Sequence, residues 1–339
     1  MIKVLVVDDS LMFRELISNG LNDNPEIQVV ATAGDPFQAR DMIIRFEPDV
    51  MTLDVEMPRM NGIEFLKKLM PQYPLPTVMI SSLNSAVFDA LKAGAVDFVN
   101  KPVALQPEDI VRWVHEDLVA KIKIAATVDV GKKLAPVTAK VHSTGRQYKN
   151  KILAIGASTG GTEAIASVVQ HFHKDIPGTV MVQHMPPGFT AMYAERLDKQ
   201  CEVSVKEAED GDLVERGKIL LAPGDKHMRL IKTGGIYRVE VKPGEKVSGH
   251  CPSVDVLFQS VAKAAASDAL GVILTGMGAD GARGLLAMRR AGAKTLGQDE
   301  KSCVVYGMPK VAFDIGAVER QVSLENIASM VYNVFNSMP

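Results

Sequence analysis

The stretch that decides the fold of the first part of the chain is Met1-Ile2-Lys3-Val4-Leu5-Val6-Val7-Asp8-Asp9. It is a short apolar run of the strand type that ends in two acids. Similar apolar runs follow at Gln28–Ala31, Val50–Leu53, Thr77–Ile80 and Val96–Val99. Amphipathic stretches with helix signals separate them, such as Asp35-Pro36, an N-cap residue followed by proline at the first helical position. The alternation predicts a doubly wound parallel sheet of five strands with five helices.

A second alternating region begins at Lys151–Ile155. Further strand-like runs lie at Thr179–Val182, Glu202–Lys206, Lys218–Leu221 and Gly271–Leu274. Before the last of these, Met228–Ile231 and Ile236–Val241 flank Thr233-Gly234-Gly235, which is typical of an antiparallel hairpin. We therefore predict a second doubly wound α/β domain that contains a hairpin.

A segment without periodicity separates the two regions and sets the predicted domain boundaries. Residues 127–149 hold one acid, Asp129, and five basic residues, which are Lys132, Lys133, Lys140, Arg146 and Lys149. Together with Gly131, Pro136 and Gly145, this composition indicates a basic, mobile linker between domains 1–126 and 150–339. The charge of the linker serves either solvation or docking onto an acidic partner or neighbouring domain.

The composition excludes several classes of protein. Of the 339 residues, 47% are hydrophobic and 23% are charged, which is too apolar for a disordered chain and too charged for a membrane protein. No apolar run approaches the ~18 residues that span a bilayer, and the run at Val4–Val7 is too short for a signal peptide. The net charge of -2 gives no global field for nucleic acid or anionic lipid. We expect no nucleic-acid partner and no direct membrane insertion.

The cysteines point to a reducing compartment. Cys201, Cys251 and Cys303 are odd in number and widely spaced, and no Cys-x-x-Cys pair occurs. Neither a disulfide framework nor a structural zinc site is therefore expected. A cytoplasmic location fits this pattern.

A first set of chemical groups follows the early strands. The strands end at Asp8-Asp9, Asp54, Ser81 and Lys101, and parallel strands bring these ends to one edge of the sheet. Three carboxylates at one edge need a cation, and their oxygens suit Mg²⁺. A carboxylate can also accept a phosphoryl group, whose charge a lysine and a hydroxyl would stabilise.

These residues resemble the receiver domain of two-component response regulators, which has a flavodoxin-like fold, over essentially all of residues 1–125. Met57-Pro58-x-x-Asn61-Gly62 after Asp54 adds to the resemblance. The resemblance implies that Asp54 is the phospho-acceptor and that a histidine kinase is the phosphodonor. It makes Asp8 and Asp9, with Asp54, the Mg²⁺ ligands. Ser81 would be the switch hydroxyl and Lys101 the lysine that pairs with the phosphate.

A second set of groups begins with a glycine-rich turn. Gly156-Ala157-Ser158-Thr159-Gly160-Gly161 follows an apolar strand, and its glycines allow a tight turn that exposes the Ser158 hydroxyl. Such a turn can alternatively cradle a phosphate or a dinucleotide. The acid expected about 20 residues later in a dinucleotide site is absent, and the turn holds no basic residue.

A hydroxyl nucleophile needs a base and a group that orients the base. Among seven histidines, His184 ends the strand Thr179–Val182 and so lies at the same sheet edge as Ser158. Asp280 stands in a further glycine-rich turn after Gly271–Leu274, where it could equally be an N-cap. Backbone N–H groups of that turn could bind an oxyanion. The order Ser, His, Asp differs from the order in α/β-hydrolases.

The chain resembles chemotaxis-type protein-glutamate methylesterases with a fused receiver. Five runs carry the resemblance, namely Ile155–Gly161, Gln183–Phe189, Pro252–Phe258, Leu274–Gly281 and Cys303–Pro309. The resemblance implies that Ser158 is the nucleophile, that His184 is the general base and acid, and that Asp280 orients His184. It places the backbone N–H of Met277 in the oxyanion hole, with Thr159 in support. It also implies a phosphorylation-activated enzyme that needs no cofactor for ester hydrolysis. The implied substrates are methylated glutamates on the cytoplasmic helices of chemoreceptors, with deamidation of particular glutamines as a second activity.

Two other functions remain as alternatives. A DNA-binding response regulator finds its support in four basic residues near one helix, Arg283, Arg289, Arg290 and Lys294. Such an output would be a small helical domain, whereas residues 150–339 indicate a large α/β unit. The other alternative is a nucleotide-dependent enzyme that uses the Gly156–Gly161 turn. A fluorophosphonate probe separates the three, since only the hydrolase is labelled at Ser158.

Overall fold

The computed structural model describes residues 1–82, 86–102, 106–131, 148 and 150–338. The chain divides into two compact units, Met1–Lys133 and Leu134–Pro339. This division falls within the predicted linker. Most of that linker, with its five basic residues, lies outside the described residues. The predicted boundaries at 126 and 150 therefore stay a prediction.

The N-terminal unit is built on a five-stranded parallel sheet. Its strands are β1 (Ile2–Val7), β2 (Ile27–Ala33), β3 (Val50–Asp54), β4 (Thr77–Ser81) and β5 (Asp97–Asn100). They are arranged in the order β2-β1-β3-β4-β5, and every neighbouring pair is parallel. This is the flavodoxin-like order, so the predicted fold is confirmed. The strand order reverses between β1 and β3, which opens a crevice at their carboxyl ends.

The helices of the N-terminal unit connect these strands. They are α1 (Leu11–Asn22), α2 (Pro36–Phe46), α3 (Gly62–Leu69), α4 (Val87–Lys92), α5 (Pro107–Trp113) and α6 (Val119–Ala125), with a π-helical turn at Val114–Leu118 between the last two. The predicted N-cap at Asp35 is present, because its Oδ1 accepts from the N–H groups of Phe37 and Gln38 at 2.9 Å. Local sequence chemistry thus fixes where this helix begins.

The C-terminal unit contains a seven-stranded sheet and a hairpin. Its strands are β6 (Ile152–Ala157), β7 (Gly178–Gln183), β8 (Ser204–Glu207), β9 (Lys218–Leu221), β10 (Lys226–Thr233), β11 (Ile236–Pro243), β12 (Ala269–Ile273), β13 (Lys294–Gln298) and β14 (Arg320–Val322). The large sheet has the order β14-β13-β12-β6-β7-β9-β8 and is wholly parallel, while β10 and β11 form the antiparallel hairpin. The predicted architecture is confirmed. The sequence analysis missed β13 and β14, which lie at one side of the sheet.

Helices cover both faces of the large sheet. They are α7 (Gly161–Val169), α8 (Phe189–Gln200), α9 (Val254–Ala264), α10 (Ala282–Arg290), α11 (Met308–Asp314) and α12 (Leu324–Ser337). A buried cluster joins one face of β6 to α9, α10, α11 and the hairpin. The alternate β6 residues Leu153 and Ile155 are equally buried but point to the other face, where α7 contacts β6 and α12 contacts β12. Among the described residues, no helix combines the length and apolar character needed to cross a membrane.

Candidate active site and phosphorylation site

The Ser158 turn is shaped by tight packing. Ser158 follows β6 directly and is half-buried. Its N–H donates to the carbonyl of Thr275 at 3.0 Å, and its carbonyl accepts from Gly161 at 2.7 Å. Gly160 has a φ of +74°, and a Cβ there would lie 2.6 Å from Val304 Cβ. Only glycine therefore allows the chain to turn into α7 at this point.

His184 is adjacent to Ser158 across two neighbouring strands. The register pairs Ala157 of β6 with Gln183 of β7, and the His184 N–H donates to the Ala157 carbonyl at 3.2 Å. The His184 side chain is only 8% exposed, and its Nε2 lies 2.8 Å from Asp280 Oδ2. Its Nδ1 is buried and has no hydrogen-bond partner within the described part of the chain. Because Asp280 accepts from Nε2, Nδ1 is left as a proton acceptor.

Asp280 is a buried carboxylate with four hydrogen-bond donors. In addition to His184, the N–H of Val254 donates to Oδ2 at 2.7 Å. Its Oδ1 accepts from Ser253 Oγ at 2.8 Å and from the Asp255 N–H at 3.0 Å. Burial opposes ionisation, but the hydrogen bond from His184 and those from the other donors outweigh it, so the pKa of Asp280 is below its ordinary value. Asp280 is thus held as an anion.

Asp280 is not the N-cap of the helix that follows it, although its carboxylate does bind the first N–H groups of a different helix. The following helix, α10, starts at Ala282, and its N-cap is Gly281. The Asp280 carboxylate instead accepts the first N–H groups of α9, at Val254 and Asp255. The positive end of a helix is a favourable place for an anion. The sequence distance to α9 made this partner invisible to local pattern analysis.

The turn after β12 closes against Ser158. A Cβ on Gly276 would lie 2.7 Å from Ser158 Cβ, so glycine is required for this approach. Met277 follows and is 45% exposed. The buried residue Thr159 accepts a hydrogen bond at its carbonyl from Thr275 Oγ1 at 3.0 Å. The structure thus places all five residues predicted for this site at the carboxyl edge of the sheet or in the turn beside it. Within the described part of the chain, His184 Nδ1 forms no hydrogen bond with Ser158.

Three polar residues at this site were missed or set aside by the sequence analysis. Gln183 Nε2 donates to the carbonyls of Ser158 and His184, at 2.9 and 3.1 Å. Ser253 donates to Asp280, as described above. The His250 ring stacks on the His184 ring, with centroids 3.7 Å apart and an angle of 15°. Gln183 and Ser253 lie inside runs that carried the resemblance, whereas His250 gave no signal beyond its residue type.

The second site lies at the carboxyl edge of the N-terminal sheet. Oxygen atoms of Asp8, Asp9 and Asp54 lie within 4.8 Å of one another. Asp8 and Asp54 are buried, while Asp9 is exposed. Lys101 Nζ lies 2.8 Å from both Asp8 Oδ2 and Asp54 Oδ2. The predicted acids and lysine therefore form one cluster.

The charge balance of this cluster is incomplete. Burial, together with the negative charge of Asp8, raises the pKa of Asp54 to about 6, against the opposing effect of Lys101. Burial also opposes the charge on Lys101, yet its hydrogen bonds to Asp54 and Asp8 raise its pKa above the ordinary value. Asp8 and Asp54 thus share one ammonium, and all three acids offer hard oxygen ligands. The donor set fits a divalent cation such as Mg²⁺.

Ser81 lies at the end of β4, beside the strand that carries Asp54. It is fully buried, and its Oγ donates to the Ser82 carbonyl at 2.8 Å. Its carbonyl accepts from the Lys101 N–H at 2.7 Å, which ties the two residues together. The Ser81 hydroxyl must leave the Ser82 carbonyl to reach a phosphoryl oxygen. Its switch role stays a prediction.

Family models match both units. The model described as CheB methylesterase matches residues 153–331, more than half of the chain, and the response regulator receiver domain model matches residues 4–114. Protein-glutamate methylesterase/protein-glutamine glutaminase 2 of Syntrophomonas wolfei is 59% identical over 99% of this chain and 98% of its own length. Protein-glutamate methylesterase/protein-glutamine glutaminase 1 of Caulobacter vibrioides is 52% identical over 98% of both chains.

A solved structure matches the C-terminal unit. The crystal structure of the Thermotoga maritima CheB methylesterase catalytic domain aligns with a TM-score of 0.53 and 37% sequence identity. The alignment covers 54% of this chain and 98% of that domain. The C-terminal unit thus resembles an entire catalytic domain.

Proposed function

The chain belongs to the CheB methylesterase family, and we propose that it is a phosphorylation-activated serine hydrolase acting on chemoreceptors. It removes methyl esters from glutamate side chains and also deamidates glutamine side chains, the two activities in the names of its relatives. The main support for the hydrolase is the state of the His184 ring: Nε2 lies 2.8 Å from Asp280 Oδ2, while Nδ1 is buried and has no hydrogen-bond partner among the described residues. The register of β6 and β7 places His184 and Ser158 at adjacent strand ends. A ring nitrogen kept free in this way suits a general base.

The catalytic roles follow from this arrangement. Ser158 Oγ attacks the ester carbonyl and gives its proton to His184 Nδ1, while Asp280 holds the ring through Nε2. The backbone N–H of Met277, supported by Thr159, stabilises the oxyanion. His184 then returns the proton to the leaving methoxide, and methanol departs. Water hydrolyses the acyl-enzyme by the same route, giving a carboxylic acid and free Ser158. With a glutamine substrate, ammonia departs instead of methanol.

The N-terminal unit supplies regulation. Asp54 accepts a phosphoryl group from a histidine kinase, and Asp8, Asp9 and Asp54 would hold Mg²⁺, which would neutralise phosphoryl charge. Lys101 supplies one further positive charge, and Ser81 supplies a hydroxyl for a phosphoryl oxygen. The raised pKa of Asp54 supports a cation at this site, because the described cluster sets the Lys101 ammonium against three carboxylates.

The remaining parts of the proposal concern organisation and location. A receiver domain at 1–126 is joined by the linker 127–149 to a catalytic domain at 150–339, and the protein works in the cytoplasm. The division of the chain into two units near residue 133 supports the first part. The three unpaired cysteines support the second. The substrate-bearing partners are the cytoplasmic helices of chemoreceptors, and ester hydrolysis itself uses no cofactor.

The alternatives lose their support in the structure. Two of the four basic residues behind the DNA-binding hypothesis have local partners, since Arg289 donates to the Gly316 carbonyl and Lys294 pairs with Glu319 at 3.0 Å. The turn considered for a nucleotide is packed against Val304 at Gly160. The contacts of Arg289 and Lys294 favour a solvated surface over a DNA-binding face. The packing at Gly160 favours a turn that presents Ser158 over one that binds a nucleotide.

A fluorophosphonate probe tests the proposed hydrolase directly. We expect the full-length protein to be labelled once, at Ser158, because only an activated hydroxyl attacks the probe. Ser158→Ala should abolish labelling, while Ser204→Ala, which changes an exposed serine at the start of β8, should leave it intact. Peptide mass spectrometry of the labelled chain identifies the site. Labelling that persists in Ser158→Ala would contradict the proposal.

A further inference from the structure

We infer that Ser253 is a positioning residue of the hydrolase, because its hydroxyl holds Asp280 in the orientation that His184 requires. This inference rests on the proposed function. Ser253 Oγ lies 2.8 Å from Asp280 Oδ1, and Ser253 is fully buried. The other carboxylate oxygen, Oδ2, is the one bonded to His184 Nε2. Ser253 and His184 therefore hold opposite sides of one carboxylate.

The direction of the Ser253 hydrogen bond is fixed by a second contact. Ser253 is the N-cap of α9, and its Oγ accepts from the Val256 N–H at 3.4 Å. An N–H can only donate, so the oxygen lone pair faces the helix and the hydroxyl hydrogen is free to point to Asp280. Asp280 is ionised and can only accept. The same hydroxyl thus caps a helix and orients the aspartate.

The backbone of Ser253 is itself anchored. Its N–H donates to His227 Nδ1 at 3.2 Å, and the His227 ring is nearly fully buried. His227 Nε2 lies 2.8 Å from the Glu245 carbonyl. Because Nδ1 accepts, Nε2 carries the hydrogen and donates to that carbonyl. An uninterrupted series of hydrogen bonds therefore runs from Glu245 through His227, Ser253 and Asp280 to His184.

The loss of this hydroxyl should reduce catalysis rather than binding. Without it, Asp280 Oδ1 keeps the Asp255 N–H, while Oδ2 keeps the Val254 N–H and His184. The carboxylate then has three of its four described donors, and its orientation toward the His184 ring is less firmly fixed. Hydrogen bonds to charged groups correspond to about 1.5–3 kcal/mol, or roughly a tenfold to hundredfold change in rate. In the proposed mechanism the ester contacts Ser158 and the Met277 N–H rather than Ser253, so KM should remain nearly constant.

A purely structural role as helix cap is the competing explanation, and two variants separate it. Ser253→Ala removes both the cap and the bond to Asp280, whereas Ser253→Gly keeps most of the cap stability, since glycine is a tolerated N-cap. Ser260→Ala is the matched control. Ser260 lies on the same helix, accepts from the Leu230 N–H at 2.8 Å and donates to the Leu257 carbonyl, but it does not contact Asp280.

The experiment measures kcat, KM, melting temperature and the rate of fluorophosphonate labelling in the full-length protein. We expect Ser253→Ala and Ser253→Gly to lose roughly tenfold to a hundredfold in both kcat and labelling rate, with KM unchanged. Ser253→Thr, which keeps the hydroxyl, should recover most of the rate. Ser260→Ala should lower the melting temperature without changing kcat.

Three results would overturn the inference. The first is a folded Ser253→Gly protein that labels and turns over at the parent rate. The second is a Ser260→Ala variant whose kcat falls as much as that of Ser253→Ala when the two melting temperatures fall by similar amounts. The third is a parent protein that is not labelled at Ser158, which would overturn the proposed hydrolase as well. Only this last result removes both proposals.

Discussion

Each sheet carries a buried aspartate at its carboxyl edge, and the two aspartates are held in opposite ways. Asp54 in the N-terminal unit has one backbone N–H at 3.2 Å and an ammonium that it shares with Asp8, and its pKa is raised to about 6. Asp280 in the C-terminal unit has four donors within 3.0 Å, and its pKa is lowered. The number of hydrogen-bond donors thus distinguishes the two carboxylates: Asp54 still needs a positive partner, whereas Asp280 is kept as an anion.

The strongest test asks whether the C-terminal aspartate serves a nucleophile at all. We expect Ser158→Ala to lose at least about a thousandfold in turnover and up to about a millionfold, the range seen when a triad nucleophile is removed. Methanol release from methylated receptor membranes is the measurement. The melting temperature should stay close to that of the parent. Activity within tenfold of the parent would remove Ser158 from the mechanism.

The next test neutralises the anion of the C-terminal unit. Asp280→Asn should lower kcat by about a thousandfold and leave KM nearly unchanged, because the ring of His184 loses the acceptor that fixes its tautomer. The substitution also turns an NH₂ group toward the donors from α9. Asp314→Asn, at an exposed position, is the control and should retain full activity. An unchanged kcat in Asp280→Asn would show that the four donors serve stability alone.

The same substitution in the N-terminal unit should change regulation. Asp54→Asn should abolish the stimulation of ester hydrolysis by a small phosphodonor with Mg²⁺, because the amide cannot accept the phosphoryl group. The measured quantity is the ratio of the methanol release rates with and without phosphodonor. Asp41→Asn, on the surface of α2, should keep the parent ratio. A stimulated Asp54→Asn protein would place the phospho-acceptor elsewhere.

The smallest expected effect is on stability, and it has a defined sign. The folded-state pKa of Asp54 is raised from 3.8 to about 6, so the folded unit binds more protons than the unfolded chain in that interval. Its contribution to stability therefore falls as pH rises from about 4 to about 6, and Mg²⁺ should restore stability at pH 7. Asp54→Asn should lack both effects.

The single tryptophan makes this measurement specific to the N-terminal unit. Trp113 is 9% exposed and packs on Phe13, with ring centroids 5.9 Å apart. Its fluorescence during urea unfolding reports the N-terminal unit alone. If the unfolding midpoint of the parent protein is unaffected by Mg²⁺ at pH 7, the cluster lacks the predicted cation deficit.

Most of the fold could be predicted from the sequence, because the five early strands and the hairpin have clear local patterns of apolar and turn residues. It failed at β13 and β14, where Lys294 and Arg320 begin short strands with little apolar character. The chemical groups at strand ends were predictable for a similar reason, since parallel strands place their ends together. Their roles at the site nevertheless remain the proposals made above.

The supporting contacts were not predictable from local pattern. Ser253 and Asp280 are 27 positions apart, and the bond between them depends on how α9 packs beside the turn after β12. His250 stacks on His184 although the two residues are 66 positions apart. Such contacts arise from tertiary packing, which a single sequence does not display.

The turn after β12 also has a consequence for synthesis of the chain. Thr275 Oγ1 contacts the carbonyls of Thr159 and Val305, so three remote segments meet where Ser158 lies. Ribosomal synthesis proceeds from the amino end, and residues near 305 emerge long after Ser158. A nascent or truncated chain therefore contains Ser158 before the segments around Thr275 and Val305 are present to pack against its turn. Because the N-terminal unit is synthesised first, the regulatory unit is already complete when the active site of the C-terminal unit forms.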